Sequence, residues 1–130
     1  MPAAPTKFNL VHKNANDDDR IVQGATYNLE LTFNTDYGSD WTGFACRAQL
    51  RAGVRDEFSG DDNVLAEFTC TITDPPNRVV QFSLTAAQTD AITELTGLWD
   101  AEIYMTDGDG VEIVYRVVQG RWDLNQGVTA

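Results

Sequence analysis

The sequence predicts an all-β fold: an antiparallel β-sandwich, Ig-like or jelly-roll-like, with one short helix. Three observations carry that prediction. Several segments alternate apolar and polar residues with period two, the pattern of strands with one buried and one wet face. Clusters rich in Asn, Asp, Gly and Pro separate them at short intervals. A single stretch, 85–95, carries helix-start chemistry. A chain of 130 residues suits one domain; 1–19 reads as an N-terminal arm with an acidic loop, and 20–128 as the sandwich.

In order, residues 7–12 read as a short edge strand with Phe8 and Leu10 on one face. The Asn- and Asp-rich tract 14–19 reads as a loop, because those residues favour turns over strands. A short strand at 20–22 ends at Gly24. Tyr27, Leu29, Leu31 and Phe33 then alternate with Asn28, Glu30 and Thr32, and 34–40 is a turn. The strand 41–51 puts Phe44, Cys46, Ala48 and Leu50 inward, with Arg47, Gln49 and Arg51 outward. A polar loop, with Phe58 as anchor, leads to the strand 64–72. Pro75 and Pro76 stop it, since proline donates nothing to a ladder.

Val80, Phe82 and Leu84 mark the next strand. Thr85 with Gln88 three residues on is a capping box, so 85–95 is expected to be a helix that Gly97 terminates. Trp99, Ala101, Ile103 and Met105 begin a hairpin that turns at Asp107-Gly108-Asp109-Gly110. It returns through Val111, Ile113, Tyr115 and Val117. Gly120 is expected to mark a bulge before Trp122 and Leu124. The prediction is six to eight strands, with Cys46 and Cys70 as buried thiols rather than a bridge between facing sheets.

Charge narrows the function. Twenty acidic residues against nine basic give −11 and a pI near 4.2. Such a surface repels phosphate backbones and anionic lipid, so neither nucleic acid nor membrane is an expected partner. No apolar run reaches the length of a membrane span, and the first residues lack the apolar core of a secretory signal. Synthesis and assembly in a cytoplasm are therefore expected.

Catalytic chemistry finds little support. Asp17-Asp18-Asp19, Asp61-Asp62 and Asp107/Asp109 are oxygen donors of the calcium type, but solvated loops and a hairpin turn account for them without metal. Asp100 and Glu102 share a strand face, as glycosidase carboxylates can, yet acidic residues on a wet face serve solubility equally well. His12 is the sole histidine and no nucleophile elbow or Gly-rich phosphate loop occurs. No catalytic residue, metal site, cofactor or small-molecule substrate is expected.

Surface candidates remain. Of the arginines Arg47, Arg51 and Arg55, the first two share the outward phase of one strand and form a basic stripe on an acidic chain, suited either to an acidic neighbour or to cross-strand pairing with Glu30, Glu67 or Glu102. Trp41 and Trp122 lie at strand ends and suit an interface, whereas Trp99 falls on the inward phase.

The wording and order of several segments resemble small β-domain proteins of tailed bacteriophages. They are Ile21-Val22-Gln23-Gly24-Ala25-Thr26-Tyr27, Trp41-Thr42-Gly43-Phe44-Ala45-Cys46-Arg47-Ala48-Gln49-Leu50-Arg51, Phe82-Ser83-Leu84-Thr85-Ala86-Ala87-Gln88-Thr89, the hairpin turn at 107–110, and Val118-Gln119-Gly120-Arg121-Trp122. The likeness spans about residues 20–128 and extends to N-terminal domains of upper baseplate proteins and to accessory particle proteins. It implies a non-enzymatic virion structural protein that docks neighbouring subunits in the tail, baseplate or fibre-attachment region. The alternatives are a capsid cement or decoration protein, and a carbohydrate-binding module that would need Tyr104 and Trp122 exposed. The expected partners are other virion proteins and copies of the chain itself. The expected contact residues are Phe8, Leu10, Trp41, Arg47, Arg51, Tyr104 and Trp122, with the arm 1–12 adding a strand to a neighbour.

Overall fold

A computed structural model describes residues 5–52 and 64–126. The loop expected at 53–62, with Phe58, Arg55 and Asp61-Asp62, lies outside the described residues. The elements are β1 (Thr6–Lys7), β2 (His12–Asn14), β3 (Asp17–Asp18), β4 (Ile21–Val22), β5 (Tyr27–Thr32), β6 (Ala45–Ala52) and β7 (Val64–Asp74), then a one-turn 3-10 helix at Pro75–Asn77. After it come β8 (Val79–Leu84), α1 (Ala86–Asp90), β9 (Thr96–Thr106) and β10 (Glu112–Asn125). The fold is all-β, as the alternation predicts. The main sheet runs β1-β10-β9-β6-β7-β8-β5 with β4 also on β10, and β2 and β3 form a separate ladder.

The long ladders are antiparallel, while β1 and β4 join β10 in parallel over two residue pairs each. β7 curls the sheet by changing partners. Its first half pairs with β6, ending at Ala48↔Phe68; from Thr69 onward it pairs with β8. The curl brings the inward faces together. Phe68 lies 5.8 Å from Trp99 and 6.1 Å from Phe82 between ring centroids, and Phe82 meets Trp99 edge-on at 5.6 Å. Leu50, Ile103, Val117 and Trp122 are fully buried in the same core. Each such side chain contributes about 1.5–3 kcal/mol by leaving water.

Several local expectations are corrected. The helix has five residues rather than eleven. Its capping box forms as expected, with Gln88 N–H donating to Thr85 Oγ1 at 3.1 Å and Thr85 N–H to Gln88 Oε1 at 2.9 Å. Within it the fully buried Thr89 hydroxyl accepts from Gly24 N–H (3.0 Å) and lies within donating distance of Ala25 O (2.8 Å) and Ala86 O (3.1 Å), which ties the helix to the segment before β5. Gly97 is a strand residue, not a helix terminator. A Cβ there would stand 2.0 Å from Arg51 O and 2.6 Å from Trp122 Nε1. The bulge of β10 falls between Arg116 and Val118, and Gly120 serves close approach instead: a Cβ would meet Phe8 O at 2.0 Å.

The acidic tract is not purely loop. β2 and β3 make a short hairpin in which Asp18 holds the Arg20 guanidinium at 2.8 Å, satisfying a charge that disfavours strands on its own. The N-terminal arm, finally, is part of the domain from Thr6 onward. Phe8 N–H donates to Gln119 O, Leu10 N–H to Arg121 O and Asp123 N–H to Leu10 O. Among the described residues no helix is long and apolar enough to cross a membrane.

Candidate functional site

The residues expected to bind partners separate into two groups. Leu10, Trp41 and Trp122 have no exposed surface. Leu10 enters the core because the arm pairs with β10. Trp41 precedes β6 rather than capping it, donates its backbone N–H to Pro75 O and packs its ring on Phe33 at 5.3 Å. The Trp122 indole donates to Arg51 O at 2.8 Å. Three aromatic or aliphatic contacts predicted for a partner are thus made inside this chain. Phe8 is half-buried, with its carbonyl accepting the Trp99 indole N–H at 2.8 Å and Lys13 lying over its ring.

Arg51 is also withdrawn, at 6% exposure, although it sits on the outward phase of β6. Its Nε stands 3.8 Å from Asp100, itself 5% exposed, and Arg116 approaches the other carboxylate oxygen at 3.4 Å. Arg51 further donates to Gln49 Oε1, whose amide reaches Glu67 at 3.2 Å. Burial pushes the Asp100 carboxyl upward, while Arg116 and Arg51 pull it back down. Pairing with the two guanidiniums offsets only part of the desolvation, so the carboxyl stays above its ordinary range. Glu102 in turn is paired with Arg47. Both carboxylates of the strand-face pair considered for glycoside chemistry thus take part in ion pairs within the sheet.

Arg47 and Tyr104 remain accessible, and the sheet brings them together. Arg47 Nε donates to Glu102 at 2.8 Å, and the guanidinium lies 4.5 Å above the Tyr104 ring. Register puts Ala45 on one side of Tyr104 and Val114 on the other, giving a row across β6, β9 and β10. Val114 is 37% exposed and Val111, at the hairpin tip, 57%. Among the described residues, 112–115 of β10 have a strand partner on the β9 side and none on the other. This end of the hairpin thus joins an apolar strip, a stacked cation and, among the described residues, a strand edge at 112–115 that no further strand covers. Tyr104 is the aromatic left for a sugar platform; Trp122 is not available to it.

Sequence reasoning missed Val114 and Arg116. Both lie on the outward phase of β10, opposite the inward Ile113, Tyr115 and Val117, so a valine on the wet phase was the signal. The Asp107-Gly108-Asp109-Gly110 turn holds the hairpin itself, with Asp107 Oδ1 accepting from Asp109 N–H and Val111 N–H at 2.9 and 3.0 Å. That carboxylate caps a turn, the role expected of it.

No protein-family model matches the chain, and no curated protein does either.

Proposed function

We propose that this chain is a non-enzymatic structural module, and in particular a tailed-bacteriophage virion protein that docks neighbouring subunits in the tail, baseplate or fibre-attachment region. The class rests on the surface at the end of the β9–β10 hairpin. Among the described residues no strand covers the outer edge of β10 at 112–115, an edge that offers main-chain hydrogen bonds to an incoming strand, and the strip of Ala45, Tyr104 and Val114 offers side-chain contact beside it. The phage assignment is supported by the order of the phage-like segments along residues 20–128. With Leu10, Trp41, Arg51 and Trp122 engaged inside the fold, docking falls to Tyr104, Arg47, Val111 and Val114.

Gold-labelled antibody on purified particles tests the reading. Label at the tail or its tip is the expected result, and label over the capsid supports a decoration protein instead. Particles free of the chain overturn both. Val114→Asp gives the matching test of the surface. A charge in a desolvated contact lowers incorporation tenfold or more, about 1.4 kcal/mol. The purified variant keeps its thermal midpoint, because Val114 is already exposed. Normal incorporation of Val114→Asp would reject this surface.

A further inference from the structure

The two cysteines of the chain come together in a way that the sequence does not suggest. Ala48↔Phe68, Gln49↔Glu67 and Leu50↔Ala66 fix the register of β6 on β7. β7 leaves β6 after Phe68, and Cys46 and Cys70 stand on these neighbouring strands two residues beyond that last pair, Cys46 facing Ile103 of β9 and Cys70 facing Phe82 of β8 in their ladders. Both are free thiols on the inward face, both are half-buried, and the two side chains share a hydrogen bond. Thiols that share a hydrogen bond are within reach of a bond to one another, and a disulfide spans Cα atoms about 4.4–6.8 Å apart.

We propose that Cys46 and Cys70 form a dithiol site that a low-molecular-weight disulfide converts into a cross-strand disulfide joining β6 to β7. Cys46 is the attacking group. The hydrogen bond from Cys70 favours its thiolate, whereas the same bond and burial hold the Cys70 thiol up. The Cys46 thiolate attacks one sulfur of the small disulfide, forming a mixed disulfide and expelling one small thiolate. Cys70 gives up its proton and attacks the Cys46 sulfur, expelling the second small thiol. The protein loses two hydrogens and two electrons, and the small disulfide is reduced to two thiols. The product closes residues 46–70 into a covalent loop that begins on one strand of the central ladder and ends on the next. This inference is independent of the proposed function.

The test incubates the reduced, folded chain with glutathione disulfide and follows intact mass and free thiols. The expected product has lost two hydrogens and both thiols, remains monomeric, and yields a linked Cys46–Cys70 peptide pair on non-reducing digestion. Its thermal midpoint rises by on the order of 10 °C. Cys70→Ser, or Cys70→Ala if the serine variant folds poorly, halts at a glutathione adduct on Cys46. A lasting glutathione adduct on the wild-type chain, a disulfide-linked dimer, or unchanged thiols would each overturn the proposal.

Discussion

Replacing Gly120 with alanine tests how the N-terminal segment is held. In a strand, alanine is ordinarily the better residue by about 0.5–1 kcal/mol, so local propensity predicts a gain. The structure predicts a loss. The new Cβ would lie 2.0 Å from Phe8 O, 2.7 Å from Phe8 C and 2.9 Å from Asn9 Oδ1, and the nearest of these is backbone. Relief requires the segment to withdraw by roughly 1 Å, given that carbon–oxygen contacts below about 3 Å are repulsive. That motion breaks the 2.8 Å bond from the Trp99 indole to Phe8 O, leaving a buried donor unmatched at about 1–3 kcal/mol. It also stretches the 2.9 Å bond from Arg121 N–H to Asn9 Oδ1 and the 3.1 Å bond from Phe8 N–H to Gln119 O, about 1 kcal/mol between them at a solvated edge. Partial exposure of Leu10 adds about 1 kcal/mol.

The expected cost is about 3–5 kcal/mol, a large share of the roughly 5–15 kcal/mol of a typical domain. Urea denaturation reads it as a lower midpoint, and trypsin reads it as faster cleavage at Lys7. Gly108→Ala is the control, since nothing lies within 4 Å of its Cβ position; it stays within about 0.5 kcal/mol of the parent. A Gly120→Ala protein as stable as this control would refute close approach as the reason for the glycine.

Other expectations follow from the same contacts. Asp100→Ala strands Arg51 and Arg116 beside one another and lowers stability by about 3 kcal/mol in chemical denaturation, whereas Arg47→Ala, which breaks an exposed pair, costs no more than about 1 kcal/mol. Thr89→Val removes the hydroxyl that serves Gly24 N–H and Ala25 O, and its thermal midpoint falls to match a loss of about 1–3 kcal/mol. Asp18 is held at about 2 by its hydrogen bond to Arg20. Its folded value lies below its unfolded one, so its contribution is complete above pH about 4 and disappears as pH falls through about 2. Carboxyl NMR titration of Arg20→Ala should return Asp18 to the ordinary range near 3.8, and a value unchanged at about 2 would show that Arg20 is not the cause.

The alternation of residues 27–33, 64–72 and 99–105 determined the strands and their buried faces without further help, because a side chain's face depends on backbone period alone. The capping box at Thr85 and Gln88 and the turn at 107–110 were legible for the same reason: their hydrogen bonds close within a few residues. Pairing between distant segments left no such mark. That Leu10 enters the core beside Trp122, that Gly120 lies under Phe8, and that Arg51 is sealed against Asp100 all depend on β10 meeting the N-terminal segment and β6 meeting β9. An outward phase signals solvent only until another part of the chain covers it, which is why Arg51 and Arg47, four residues apart on one face, met opposite fates. Tertiary structure likewise chose the docking strip. Tyr104 and Val114 are ten residues apart in sequence and unremarkable singly, and the hairpin register makes them neighbours. Local chemistry thus determined which segments are strands, while the partners that each face meets were decided by the fold of the whole chain.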